Sequence, residues 1–184
     1  MDQRGFTLIE LVITLIVLAV IMAIAAPSLA DLRERQALRG TADSLMIAVG
    51  NAREEAVKRN QLVRVEFKAL GTGVCVGTAV VATAASAGCD CSTSTCALGG
   101  FPASPTDVSD LRNIRLAVAP SFGTDTAFVI DPRTGLLADV ADTGSLTLAS
   151  VRGYQLRMNV GVTGRVSTCV PSTSTKFLAG AKPC

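Results

Sequence analysis

The chain has 184 residues, 17 basic and 15 acidic side chains for a net charge of +2, and a composition that is 49% hydrophobic but only 4% aromatic. It contains no histidine and no tryptophan. This excludes Ser-His-Asp and Cys-His catalysis, removes the commonest zinc ligand and leaves a core to be built from aliphatic side chains. No Walker loop or glycine-rich dinucleotide fingerprint occurs, so the sequence does not read as an enzyme, and no cofactor or metal is expected.

The first element is an apolar run, "GFTLIELVITLIVLAVIMAIAAPSLADLRER", in which residues 11–30 carry no charge. Twenty helical residues rise about 30 Å, the thickness of a bilayer core. The run is long for a signal peptide, whose apolar region usually spans about 7–15 residues. A simple anchor would not explain the carboxylate of Glu10, because an acid inside an apolar span is costly unless it reaches the surface or finds a partner.

The segment Gly5-Phe6-Thr7-Leu8-Ile9-Glu10 resembles the processing site of type IV prepilins and type II secretion pseudopilins. The resemblance implies a leader at residues 1–5, removed by a prepilin peptidase that cuts after Gly5. It also implies N-methylation of the new terminus at Phe6. Glu10 is then the fifth mature residue, which in this family is held to neutralise a neighbouring subunit's amine during assembly. Pro27 falls where pilin helices commonly bend. The implied partners are other major or minor pilins or pseudopilins, the peptidase and an inner-membrane assembly platform. The implied location is the bacterial inner membrane, crossed once at residues 6–30 with the N-terminus cytoplasmic and the C-terminal domain periplasmic, and then a filament.

The helix is expected to continue as an amphipathic segment over residues 31–60. Leu38, Ala42, Leu45, Val49, Ala52 and Ala56 recur at spacings of four and three and form one apolar stripe. Glu54 with Lys58, and Glu55 with Arg59, are i,i+4 pairs on the opposite side. Residues 61–184 then form a β-rich periplasmic domain. "LVRVEFKA" places Val63, Val65 and Phe67 on one face, and "NIRLAV" does the same with Ile114, Leu116 and Val118. "TAFVI" and "SLTLAS" are further strands. "YQLRMNV" sets Tyr154, Leu156, Met158 and Val160 on one side, and "GVTG" turns it into "RVSTCV". The fold class is α+β, one long helix packed on an antiparallel sheet. "FVIDPRTGLL" resembles the corresponding turn in the GspH/FimT branch of minor pilins and pseudopilins.

Between the first strands lies an insertion at about residues 71–110, rich in Ala, Gly, Ser and Thr, read as a strand around Cys75 followed by a surface loop. It holds Cys75, Cys89, Cys91 and Cys96, without the paired C-x2-C knuckles of a zinc site. Disulfides fit an exported domain, and six cysteines allow fifteen full pairings. Cys89 and Cys91 are expected to pair outward, and the rest of the insertion's connectivity stays open. Cys169 and Cys184 are expected to pair, closing a tail of about fifteen residues at a gain of roughly 3 kcal/mol. A C-terminal disulfide loop is similar to the receptor-facing loop of many type IV pilins.

Residues 145–184 carry Arg152, Arg157, Arg165, Lys176 and Lys182 and no acid. Such asymmetry attracts anions. "GRVS" at residues 164–167 resembles a Gly-Arg-x-Arg element of DNA-binding FimT-type pilins, with Ser167 in place of the second arginine. Two readings of Arg165 stand, a solvent-facing turn residue or a contact to non-specific DNA during uptake. The overall expectation is a minor pilin-like subunit of a type IV pilus, at the initiating tip or in the shaft. The alternative is the H-type pseudopilin of a type II secretion system.

Overall fold

A computed structural model describes residues 7–71, 73–102, 114–123 and 125–184. Gly5, Phe6 and the leader expected at residues 1–5 lie outside the described residues.

Helix α1 spans Leu8–Arg59, 52 residues and about 78 Å. Thr7 caps its start, accepting the Glu10 backbone N–H on its hydroxyl at 3.3 Å. Asn60 closes it in the left-handed conformation, φ 51°, with its N–H on the carbonyls of Ala56 and Val57. The helix continues across Pro27 without a break. The two halves differ in what covers them. Large apolar residues from Leu8 to Leu32 are exposed, whereas all six residues of the predicted stripe are buried, together with Thr41 and Ala48. On the outer side of the distal half, Lys58 and Arg59 pair with Glu54 and Glu55 at 3.5 and 2.7 Å.

Among the described residues eight strands come after the helix: β1 (Leu62–Leu70), β2 (Gly73–Val81), β3 (Gly100–Phe101), β4 (Ile114–Phe122), β5 (Ala127–Ile130), β6 (Gly144–Ser150), β7 (Gln155–Val160) and β8 (Val166–Cys169). They form two antiparallel sheets, β3-β2-β1-β5 and β4-β6-β7-β8, both packed on α1. Phe67 of β1, Phe128 of β5 and Phe122 of β4 meet with ring centroids 5.1 to 6.2 Å apart and join the two sheets. The alternation predicted for β1 and β7 is the one observed. In β4 it fails: register shifts flank Val118, which faces solvent, while Ile114 and Phe122 stay inside. A bulge adds a residue to one strand and reverses the facing of the residues beyond it.

The cysteine-bearing segment after β2 packs back onto that strand rather than standing out as a surface loop. Cys75 bonds Cys91, Cys89 bonds Cys96, and Cys75, Cys91 and Cys96 are buried in a small satellite core. Gly77 permits the approach, since a Cβ there would stand 2.3 Å from the Cys89 carbonyl oxygen. Cys169 and Cys184 are bonded as well, which commits all six cysteines.

Candidate assembly site

Glu10 lies in the first turn of α1, on a helical stretch whose most apolar window has a mean hydropathy of 3.0 and no buried residue. Its carboxylate enters no ion pair among the described residues. An apolar rod with no cover and one acid near its end is built to pack against something outside its own fold, lipid or other helices.

Where the uncharged run ends, the helix gains its first contacts with the domain. Asp31 accepts hydrogen bonds from the Tyr154 hydroxyl at 2.5 Å and from the Arg35 guanidinium at 2.8 Å. Arg35 Nε also donates to the Tyr154 oxygen at 2.9 Å. Lys176 reaches the other Asp31 oxygen at 3.4 Å, and Arg152 lies 3.9 Å from it and 3.3 Å from Glu34. The Arg152 backbone N–H donates to Glu34 at 3.0 Å. The Arg35 and Lys176 cations lie 5.0 and 5.1 Å from the centre of the Tyr154 ring. Residues 31–35 thus clasp the turn before β7 and the C-terminal loop, fixing the angle at which the domain sits on its rod.

The hydrogen bond from Tyr154, then that from Arg35, hold the Asp31 carboxyl down from an ordinary 3.8 to about 2, with Lys176 adding to them against partial desolvation. A carboxyl depressed in the folded state stabilises above its unfolded pKa, and that contribution disappears as pH falls through the folded value. The clasp is therefore expected to hold fully above about pH 4 and to loosen between pH 4 and 2. Tyr154 is the sole tyrosine and tryptophan is absent, so tyrosine fluorescence reports this site alone. Wild-type emission should change across that window, whereas Asp31→Asn should show the altered signal already at neutral pH.

The five cations of the last forty residues differ in how far they are already engaged. Arg152 and Lys176 are engaged by Asp31 and Glu34, and Arg157 Nε donates to the Thr147 hydroxyl at 3.4 Å. Lys182 borders a cavity of about 320 Å³ with Arg39, Asp43 and Thr168, beside the Cys169–Cys184 bond. Arg165 is exposed on the β7–β8 turn, its carbonyl accepting the Gly161 N–H at 3.0 Å. Asp31, Arg35 and Tyr154 were not singled out by sequence reasoning as a group. Two signals pointed to them: Asp31 is the first charge after the uncharged run, and Tyr154 is the lone tyrosine.

Comparison with known proteins bears on both halves of the rod. Residues 1–26 match the prokaryotic N-terminal methylation motif, and residues 41–164 match the family described as type II transport protein GspH. The chain is also 40% identical over 73 residues to the pilin-like protein PilA1 of Thermus thermophilus. That stretch covers 40% of this chain and 46% of the relative, so the two correspond over less than half their lengths. No solved structure matches.

Proposed function

Because the chain belongs to the GspH family, we propose that it is a minor type IV pilin-like structural subunit, cut after Gly5, methylated on Phe6 and built into a type IV pilus. The observation that carries this reading is the junction of two features. A methylation motif runs directly into a helix whose first half is bare and apolar, while its second half lies under two sheets. A subunit leaving the bilayer exchanges lipid contacts for contacts with other helices, and Glu10 supplies the counter-charge for a neighbour's terminal amine. On this reading the partners are other pilins, a prepilin peptidase and an inner-membrane assembly platform. The domain stands on the periplasmic side before assembly.

The second reading is an H-type pseudopilin of a type II secretion system, favoured by the description of the family itself. The similarity to a pilin-like protein and the disulfide-closed C-terminus favour the pilus. A clean deletion, assayed separately for twitching, protein secretion and DNA uptake, separates them. Loss of piliation with secretion intact is expected. Loss of secretion alone would select the pseudopilin.

A contribution to DNA uptake would fall to Arg165, Arg157 and Lys182, since Arg152 and Lys176 already serve Asp31 and Glu34. Binding should be independent of sequence and fall steeply with salt, because phosphate contacts displace counterions. Arg165→Gln should weaken duplex binding and reduce the salt slope by about one unit. Absence of binding at low salt would remove the DNA role and leave the assembly role untouched.

A further inference from the structure

Outside the apolar rod, Phe177 and Val151 are among the most exposed large hydrophobic residues, at 77% and 66%. Each adjoins a cation that grips the helix where it leaves its uncharged run: Lys176 on Asp31, Arg152 on Glu34. If residues 11–30 fill the bilayer core, the headgroup layer continues for about 5–8 Å beyond it. Residues 31–35 climb about 6 Å and so lie within that layer. Side chains tied to Asp31 and Glu34 stand at the same height.

The two loops are held there rather than hanging free. Leu178, next to Phe177, is completely buried, and Cys169–Cys184 closes the loop behind it. The Thr175 hydroxyl donates to the Gly153 carbonyl at 3.1 Å, and the Ser174 hydroxyl accepts the Gln155 N–H at 3.3 Å, joining one loop to the other. Gly153 has φ +91°, and a Cβ there would stand 2.5 Å from the Thr175 hydroxyl, so the junction requires glycine. Four cations, Arg33, Arg35, Arg152 and Lys176, outnumber the two anions Asp31 and Glu34 in residues 31–35 and the loops tied to them. Arg33 is exposed and enters no ion pair among the described residues.

We propose that this underside is a second membrane contact, with Phe177 and Val151 seated in the headgroup layer of an anionic bilayer and the excess cations facing lipid phosphates. The proposal rests on the reading of α1 as a membrane span. The lipid surface is the occupant because it is continuous with the rod's own surroundings at that height. The contact would hold the domain upright against the membrane while the subunit waits for assembly, and would be given up on extraction.

The absence of tryptophan supplies the probe. Full-length Phe177→Trp and Val151→Trp are reconstituted in phosphatidylcholine–phosphatidylglycerol vesicles with or without bromine on the acyl chains. Val162→Trp, on the β7–β8 turn about 20 Å further along the sheet, is the control. Flotation with the vesicles is checked for each variant. Phe177→Trp and Val151→Trp should emit at shorter wavelength than Val162→Trp and lose clearly more intensity than it does to brominated lipid, because apolar side chains in the headgroup layer dip to the boundary with the acyl chains. Val162→Trp should be unaffected. Floating chains whose Phe177→Trp and Val151→Trp signals are quenched no more than the control would overturn the proposal and leave the membrane span standing. Blue-shifted but unquenched emission would assign Phe177 to a protein neighbour and also overturn it. Failure to float would remove the membrane span and the proposal together.

Discussion

Glu10→Val should leave the chain in the membrane and nearly abolish its recovery in sheared filaments. Removing the charge makes the apolar run easier to insert, so membrane content should be unchanged or higher. Assembly is where the loss appears. On the proposed reading, cleavage leaves a neighbour's amine, with an ordinary pKa near 7.7–8.0, charged at neutral pH as it enters a bundle of helices. Left without its carboxylate, a buried charge costs roughly 3–5 kcal/mol, or about two to nearly four orders of magnitude in association. The fold is not expected to suffer, because the Glu10 carboxylate enters no ion pair among the described residues and the cap bond to the Thr7 hydroxyl uses the backbone N–H, which valine keeps. Copurification with other pilins and immunoblots of sheared fractions supply the readout. Wild-type incorporation would make Glu10 a tolerated residue at the membrane end.

Phe67→Ala should be among the most destabilising single changes in the globular domain. Phe67 is fully buried on β1 and stacks on Phe122 of the other sheet with centroids 5.1 Å apart, while Phe128 lies 6.2 Å away. Truncation opens a cavity where the two sheets meet and should cost about 3–5 kcal/mol. Against a typical domain stability of about 5–15 kcal/mol that is a large share. Pulse proteolysis of the detergent-solubilised chain across a urea series should show the midpoint falling sharply, with apolar Phe67→Leu intermediate. A midpoint shift no larger than that of an exposed change such as Val140→Ala would show that the aromatic trio does not hold the sheets together.

What could be read from the residues depended on how local the signal was. The stripe from Leu38 to Ala56 and the alternations of β1 and β7 repeat over several turns or pairs, so each element declares its own buried face. Alternation does not say which strand pairs with which, and the division into two sheets was therefore not visible. Val118 misled for a related reason, because a bulge changes the facing without changing the pattern of residue types. Cys89 and Cys91 pair outward as expected, but choosing Cys75 and Cys96 as their partners required knowing how the segment folds back over Gly77.

The candidate site divides along the same line. Glu10 stands out because its surroundings are uniformly apolar. The clasp at Asp31 joins residues 123 positions apart, and no periodicity encodes such a pair. The positive surplus of residues 145–184 was a true count, yet it overstated the free charge. Asp31 and Glu34, supplied from the helix, engage two of the five cations.

Prepilin processing before assembly is the step on which the proposed role depends. Mass analysis of the intact chain and its N-terminal peptide, purified from the membrane fraction of its own host, reads that step out. A chain beginning at Phe6 and carrying one methyl group on its amine is expected, with Gly5→Glu retaining Met1 and failing to assemble. A chain that keeps residues 1–5 in the wild type, or that is cut after Ala30 and released from the membrane, would contradict it.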